Sequence, residues 1–324
     1  MTIDAQWTKK AALEAGFDAC GIAAAGPIPQ QEWGLEEWLG SGREGGMHYM
    51  EEHTAERRDP TVLVAGAKSV VSVLLGYKPS RELGVKPRIA QYAYGEDYHE
   101  RMKRMLYRLL AMLRERYPAF EARPFVDTAP ISDKYWAVRA GLGWRGKNTL
   151  LVNSELGSYC YIGELVTTAE ASHYDSPVAE GCGTCELCVQ ACPNRAIVCA
   201  SVRAGGTQVD ARRCASYHTI ENRDASLPQW VRLSGYAFGC DCCALVCPYN
   251  HRAAVRYELT EADLGRLALL ADCDEATFKR ATRHSAMNRI KYSQWQRNVA
   301  AARGKAEEGG GGEEEGGCRI IAKT

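Results

Sequence analysis

The sequence has no excess of either charge: 40 Lys and Arg residues are matched by 40 Asp and Glu, so the formal net charge is zero and overall charge selects no partner. It has no apolar run approaching the ~18 residues of a membrane span, and no membrane partner is expected. The first residues, MTIDAQWTKKAALEAG, lack both the apolar core and the cleavage site of a secretory signal, so a cytoplasmic location is expected. "GLGWRGKN" lacks the G-x-x-x-x-G-K-[ST] frame, which excludes a nucleotide-binding phosphate loop there. Periodic pattern is scarce between residues 176 and 255, where Pro, Gly and Cys dominate. What remains is a chain of 324 residues, 46% hydrophobic and 25% charged, long enough for roughly two domains.

Cysteine is abundant, with fourteen residues, most of them clustered mid-chain. In a reducing compartment such clustering favours metal over disulfides. "CGTCELCVQACPNRAI" spaces Cys182, Cys185, Cys188 and Cys192 as C-x2-C-x2-C-x3-C-P. That is the bacterial ferredoxin run, in which three thiolates hold one [4Fe–4S] cluster and the fourth reaches a second. Pairs of C-x2-C also serve zinc, but three such cysteines followed by x3-C-P fit a two-pair zinc ribbon poorly. A second segment, "GCDCCALVCPYN", aligns Cys240, Cys243 and Cys247 with the last three positions of the run and leaves Ala237 where the first should be. Two four-iron clusters need eight thiolates, and these segments supply seven. Cys214 in "DARRCASYHT", between the two motifs, is the candidate eighth. The crossed assignment is Cys182, Cys185, Cys188 and Cys247 for one cluster, with Cys192, Cys214, Cys240 and Cys243 for the other. Cys242 is left over, and Cys20, Cys160, Cys199 and Cys273 read as small buried hydrophobes.

Elsewhere the periodicities are clear. "SVVSVLLGY" (Ser69 to Tyr77) and "SYCYIGELVTT" (Ser158 to Thr168) read as strands, and Asp97 to Tyr117 reads as a helix with Met102, Met105, Leu106, Leu109, Leu110 and Leu113 on its core face. A short strand, a turn and a helix from about Ser132 to the glycines Gly141 and Gly143 lie between them. Residues 1–175 therefore form an α/β region of alternating strands and helices, 176–255 a cluster-binding region stabilised by metal, 256–305 a helical basic segment, and 306–324 a Gly- and Glu-rich disordered tail. From Lys279 to Lys305 eight Lys or Arg residues occur with no carboxylate: Lys279, Arg280, Arg283, Arg289, Lys291, Arg297, Arg303 and Lys305. They form either a phosphate-binding surface or a solvated face balanced by acids elsewhere.

From about Ala11 to Gly304 the chain resembles epoxyqueuosine reductase, the cobalamin-dependent iron–sulfur enzyme of queuosine synthesis in tRNA. The resemblance is carried by "RRDP" before "AKSVVSV", "YGEDYHERMK", "VDTAPISDKYWAVRAGLGWRGKNTLL", "GSYCYIGEL", "CGTCELCVQACP", "RRCASYHTIE", "GCDCCALVCPYN" and "MNRIKYSQWQRN", in that order. Cys214 falls in the family's own remote-ligand segment. The resemblance implies an α+β chain: a cobalamin-binding α/β domain, then a ferredoxin-like domain with two [4Fe–4S] clusters, then a helical segment. It also implies that electrons pass from an external donor through the clusters to cobalamin, which opens the epoxide on the anticodon base, and that the chain acts as a monomer. Some members continue into a helical repeat domain, so RNA contacts made there are expected to be absent or replaced.

The family's proton donor falls on Asp127, a carboxyl at the end of a short strand that would need a desolvating pocket to stay protonated near neutral pH. The competing structural reading makes Asp127 the N-terminal cap of the helix that follows, although Asp133 is better placed for first-turn work. By family position Arg57 contacts the corrin, with Lys147, Asn148, Ser158, Tyr159 and Ser216 as further cofactor contacts. Where some members carry a Cys near the cofactor, this sequence has Ala90, which argues against an essential thiol there. Two other readings stand: a corrinoid reductive dehalogenase, which usually carries a twin-arginine export signal, and an electron-transfer module, which would bind no corrinoid.

Overall fold

The structure, a computed structural model, describes residues 1–84, 87–200 and 206–307. Four strands make the central sheet of the N-terminal half: β1 (Ala19–Ala24), β2 (Ser69–Gly76), β3 (Ala122–Phe125) and β4 (Cys160–Thr167). Their order is β1–β2–β4–β3. Every pairing is antiparallel. The region of alternating strands and helices thus carries an antiparallel sheet, a polarity the sequence pattern had left open. Each connection is long enough to return the chain in either direction, so alternation alone does not set strand polarity.

Strand β2 is buried along its whole length, which is why it reads as an unbroken apolar run. Val71, Val73 and Leu75 face one core, with helices α1 (Ala5–Glu14) and α2 (Tyr98–Arg116); Val70 and Leu74 face the other, with helix α3 (Asp133–Arg139). The expected stripe on α2 is the packed one: Met102, Leu106, Leu109 and Leu113 are fully buried. Each such side chain contributes roughly 1.5–3 kcal/mol of burial. The Asp97 carboxylate accepts the His99 N–H at 2.9 Å and so fixes where α2 begins.

The cysteine-rich region contains only short elements, among them α4 (Leu187–Gln190), α5 (Ala215–Ile220), β5 (Tyr236–Phe238), α6 (Cys242–Leu245) and α7 (Pro248–Arg252). Helices of four to six residues have no stability of their own. Long-range bonds anchor them instead: Asn250 accepts the Ser158 N–H at 2.6 Å and donates to the Ala244 carbonyl, and Asn298 donates to the carbonyls of Thr219 and Ala237. The C-terminal helices α8 (Glu261–Ala268), α9 (Glu275–Thr282) and α10 (Tyr292–Glu307) bury Leu267, Phe278 and Trp295 against Ile89, Tyr94, Ala237 and Phe238. Helix α10 continues to Glu307, two residues into the expected tail. The rest of that tail, with Cys318, lies outside the described residues. Among the described residues no helix is long and apolar enough to cross a membrane.

Candidate active site

Strand β3 ends at Phe125, and the buried Val126 leads directly to Asp127, whose φ is +40°. The Val126 carbonyl accepts the Thr128 N–H across it, a tight γ-like turn that few non-glycine residues adopt. Strain of this kind costs ~1–3 kcal/mol and persists where the surroundings impose it. Asp127 does not cap the next helix. The N-cap of α3 is Ser132 and Asp133 is its first residue, so the capping interpretation of Asp127 fails and Asp133 takes the first-turn place.

Instead, Asp127 Oδ2 accepts a 2.5 Å hydrogen bond from the Tyr98 hydroxyl and stands 3.2 Å from His99 Nε2. His99 Nδ1 lies 2.6 Å from Asp97, so the imidazole is held between two carboxylates. The Tyr98 ring stacks on His99 at 3.9 Å and on Tyr161 at 4.5 Å. Burial raises the Asp127 pKa, but the hydrogen bonds from His99 and Tyr98, with the His99 and Lys134 charges, outweigh it and hold the carboxyl down to about 2. For His99 burial acts against the charged form, and the bonds to Asp127 and Asp97 raise it to about 9. The condition for a protonated Asp127, a pocket that raises its pKa by desolvation, is therefore not met in this arrangement. Two charge-assisted bonds, each ~1.5–3 kcal/mol, overcome desolvation of a side chain that remains half-exposed. At neutral pH the proton of this pair resides on His99.

Positive charge borders this carboxylate. Arg57, at the end of the short helix Thr54–Arg58, lies within electrostatic reach of Asp127 and Asp133, and its buried Nε has no partner. Its carbonyl accepts the Ser132 hydroxyl at 2.8 Å, which ties that helix to the β3–α3 turn. Arg289, from the basic segment, also acts on Asp127; it pairs with Glu221 at 2.7 Å and lies 6.0 Å over the Tyr49 ring. Other members of that segment are structural. Arg297 donates to the carbonyls of His218, Asn222 and Asp224, Arg303 to that of Ala271, and Lys279 pairs with Glu275. The acids that balance the run come from elsewhere in the chain. The Lys305 side chain lies outside the described residues.

The eight motif cysteines fall into two neighbourhoods. Cys188 is pushed up to about 11 by burial and then by Cys182, Cys247 and Cys185, and Cys247 is raised by burial and by Cys182 and Cys185. Burial, then Cys214 and Cys192, raise Cys240; Cys243 feels burial, Cys240, Cys214 and Cys192, and then Cys188, across the line between the sets. Backbone N–H groups already point at these sulfurs, from Ser216 and Tyr217 to Cys214 and from Tyr249 and Asn250 to Cys247. Thiols raised by burial become thiolates only with a cation beside them, which the iron of a cluster supplies. The donor chemistry therefore suits two four-iron clusters, and Cys188 lies within electrostatic reach of Cys243. Cys242 is buried at the start of α6. Cys20 and Cys160 have thiols pushed up to about 12 by burial, but Cys199 is exposed, contrary to its reading as a buried hydrophobe.

Of the predicted corrin contacts only Arg57 lies beside Asp127. Lys147 Nζ is 4.0 Å from Glu186 in the first cysteine motif, and Asn148 is buried, its side chain accepting the Leu150 N–H. Ser158 is buried against Asn250, and Tyr159 is buried with its ring edge-on to Tyr77 and within reach of Cys243 and Cys247. The Ser216 backbone N–H serves Cys214. Ala90 packs against Gly239, next to Cys240. Sequence reasoning missed Tyr98 and His99 as site residues. Their signal was the pair of ring side chains directly after the capping Asp97, where a helix start fixes side-chain direction.

A model for a 4Fe-4S double cluster binding domain matches residues 181–250, a span that includes all eight cysteines. A domain of this kind in a chain that also carries an acid–base group defines an iron–sulfur oxidoreductase. The model described as epoxyqueuosine reductase QueG, DUF1730, matches residues 57–128, from Arg57 to just past Asp127. Epoxyqueuosine reductase of Cyclobacterium marinum is 40% identical over 93% of this chain and 97% of its own length. The Bacillus subtilis enzyme, solved with its catalytic Asp loop swung out of the active site, is 26% identical with a TM-score of 0.77 over 92% of this chain and 80% of that one. An epoxyqueuosine reductase solved with an epoxyqueuosine-modified tRNA-Tyr stem loop gives a TM-score of 0.75 at 26% identity over 92% of this chain and 80% of that one. The chain belongs to the epoxyqueuosine reductase family.

Proposed function

We propose that this chain reduces epoxyqueuosine to queuosine at the wobble position of tRNA, with Asp127 and His99 together supplying the proton. The observation that carries this reading is the Tyr98–Asp127–His99–Asp97 cluster, built around a strained turn at Asp127. Cys182, Cys185, Cys188 and Cys247 hold one [4Fe–4S] cluster, and Cys192, Cys214, Cys240 and Cys243 the other. Arg57, with its unpartnered Nε, would hold the corrin, with Lys147, Asn148, Ser158, Tyr159 and Ser216 as further contacts. When bound, the clusters and cobalamin relay electrons from an external donor and deliver the reducing power that opens the epoxide.

The chain's own residues manage the proton. At rest His99 carries it and Asp127 is ionised, so the pair titrates as a unit. The opened epoxide oxygen is far more basic than a carboxylate and takes its proton from Asp127 as His99 passes its own on. Asp97 steadies the imidazolium, and Tyr98 fixes the carboxylate rotamer. Arg57 and Arg289 present positive charge at the rim, where the phosphates of an anticodon loop would lie. Supplying epoxyqueuosine-containing tRNA, cobalamin and a reductant to fully clustered protein, followed by nucleoside analysis, tests the reading; absence of queuosine refutes it.

A further inference from the structure

On the sheet face that carries α3, several buried polar groups have no partner: both carboxyl oxygens of Glu164, the Ser72 hydroxyl and the Trp136 indole N–H. Glu164 and Ser72 are fully buried and sit opposite one another in the β2–β4 ladder. Alternation puts Glu164 between Ile162 and Val166, and Ser72 between Val70 and Leu74, all four in the core beneath α3. Trp136 belongs to α3, which packs on both strands. Unpartnered polar groups sharing one dry face are a place for internal water.

This polar pocket is next to the active site in the fold. Phe125 pairs with Glu164 on the other side of the ladder, and Asp127 lies two residues beyond it. Asp133, the first residue of α3, acts electrostatically on Glu164, as does Asp127, and the two aspartates act on each other. The cations facing these aspartates are Arg57 from the neighbouring short helix, Lys134 from α3, His99 from α2 and Arg289 from the basic segment. Glu164, Asp133 and Asp127 are thus three carboxyls within electrostatic reach of one another, running from the sheet interior to the site.

The reaction needs such a series. Turning an epoxide into a double bond consumes two electrons and two protons and releases the oxygen as water, and the Asp127–His99 pair holds one proton at rest. We propose that Glu164 stores the second proton and passes it by way of Asp133 to Asp127, through water sealed between β4 and α3 with Ser72 as its hydroxyl partner. Glu164 acts through Asp127, not on the substrate, so it is a positioning residue for the proton, and the inference rests on the assignment of Asp127. Burial, with the nearby Asp133 and Asp127, pushes the Glu164 carboxyl well above the usual carboxylate range.

Infrared difference spectroscopy of the cluster-loaded, corrin-loaded protein tests this directly. The wild type is expected to show a protonated-carboxyl C=O band that shifts in D2O, changes on a single turnover, and is missing from Glu164→Gln. The same variant is expected to keep its cluster spectrum but to slow single turnover ~10- to 100-fold, with a rate that falls earlier as pH rises. No such band in the wild type, a band that survives in Glu164→Gln, or a variant with the wild-type rate and pH profile overturns the proposal. The wild-type spectrum alone decides the matter if Glu164→Gln does not fold. Full turnover by Asp127→Asn would instead refute the underlying assignment of the acid, whatever the band shows.

Discussion

Asp127 and His99 divide one proton between them, and each member of the pair makes a distinct prediction. Asp127→Asn removes the acceptor that keeps His99 charged and the donor that faces substrate; turnover is expected to fall ~100-fold or more, with the cluster absorption unchanged. Near-normal turnover would assign the proton to another group. His99 has a folded pKa raised from 6.5 to about 9, so its contribution to stability is complete below about pH 6.5 and is lost as pH rises through about 9. The difference in unfolding temperature between wild type and His99→Gln is therefore expected to be largest near pH 6 and to shrink by pH 9.5. A difference that does not change with pH would mean that His99 packs without ionising. For Asp127 the sign is opposite: with its pKa lowered from 3.8 to about 2, its contribution is present above about pH 3.8 and is lost as pH falls through about 2.

At the scale of elements, the second cysteine segment shows what backbone geometry adds to a motif. Gly239 has φ +67°, and a Cβ there would stand 2.4 Å from the Ala90 Cβ. Gly239→Ala is expected to cost ~1–3 kcal/mol and to impair the cluster held by Cys240 and Cys243, read as lost absorption on anaerobic reconstitution. Cys214→Ala should remove that cluster while sparing the other, so that bound iron falls by roughly half. Loss of all iron, or of none, would break the crossed assignment. The cysteine spacing, the buried strand β2 and the stripe on α2 were legible because each is a local pattern with a short period. The antiparallel sheet and the Asp127 turn were not, since strand polarity and a positive φ at a non-glycine residue are imposed by distant packing. Ser158 and Asn148 also have local partners that the sequence did not indicate: the Ser158 N–H donates to Asn250, and the Asn148 side chain accepts the Leu150 N–H.

Across the whole molecule, the cluster region, the sheet and the C-terminal helices meet at one rim around Asp127. Net charge gave no sign of an RNA partner because the cations that matter are few and locally placed. Arg289 reaches the site, whereas Arg297 and Arg303 are committed to backbone carbonyls. Neutralising Arg289 and Lys291 is expected to weaken tRNA binding and to flatten its log–log salt dependence by about 0.7 per lost phosphate contact. Unchanged binding and slope would leave that face merely solvated.

The central claim is that one chain couples two clusters and a corrin to proton delivery from Asp127 onto a tRNA epoxide. Its most direct test is nucleoside analysis of epoxyqueuosine-containing tRNA after anaerobic incubation with reductant and the fully loaded wild type, alongside equally loaded Asp127→Asn. Queuosine from the wild type and little or none from the variant is the predicted result. Epoxyqueuosine left untouched by the wild type, or converted equally well by both proteins, would contradict it.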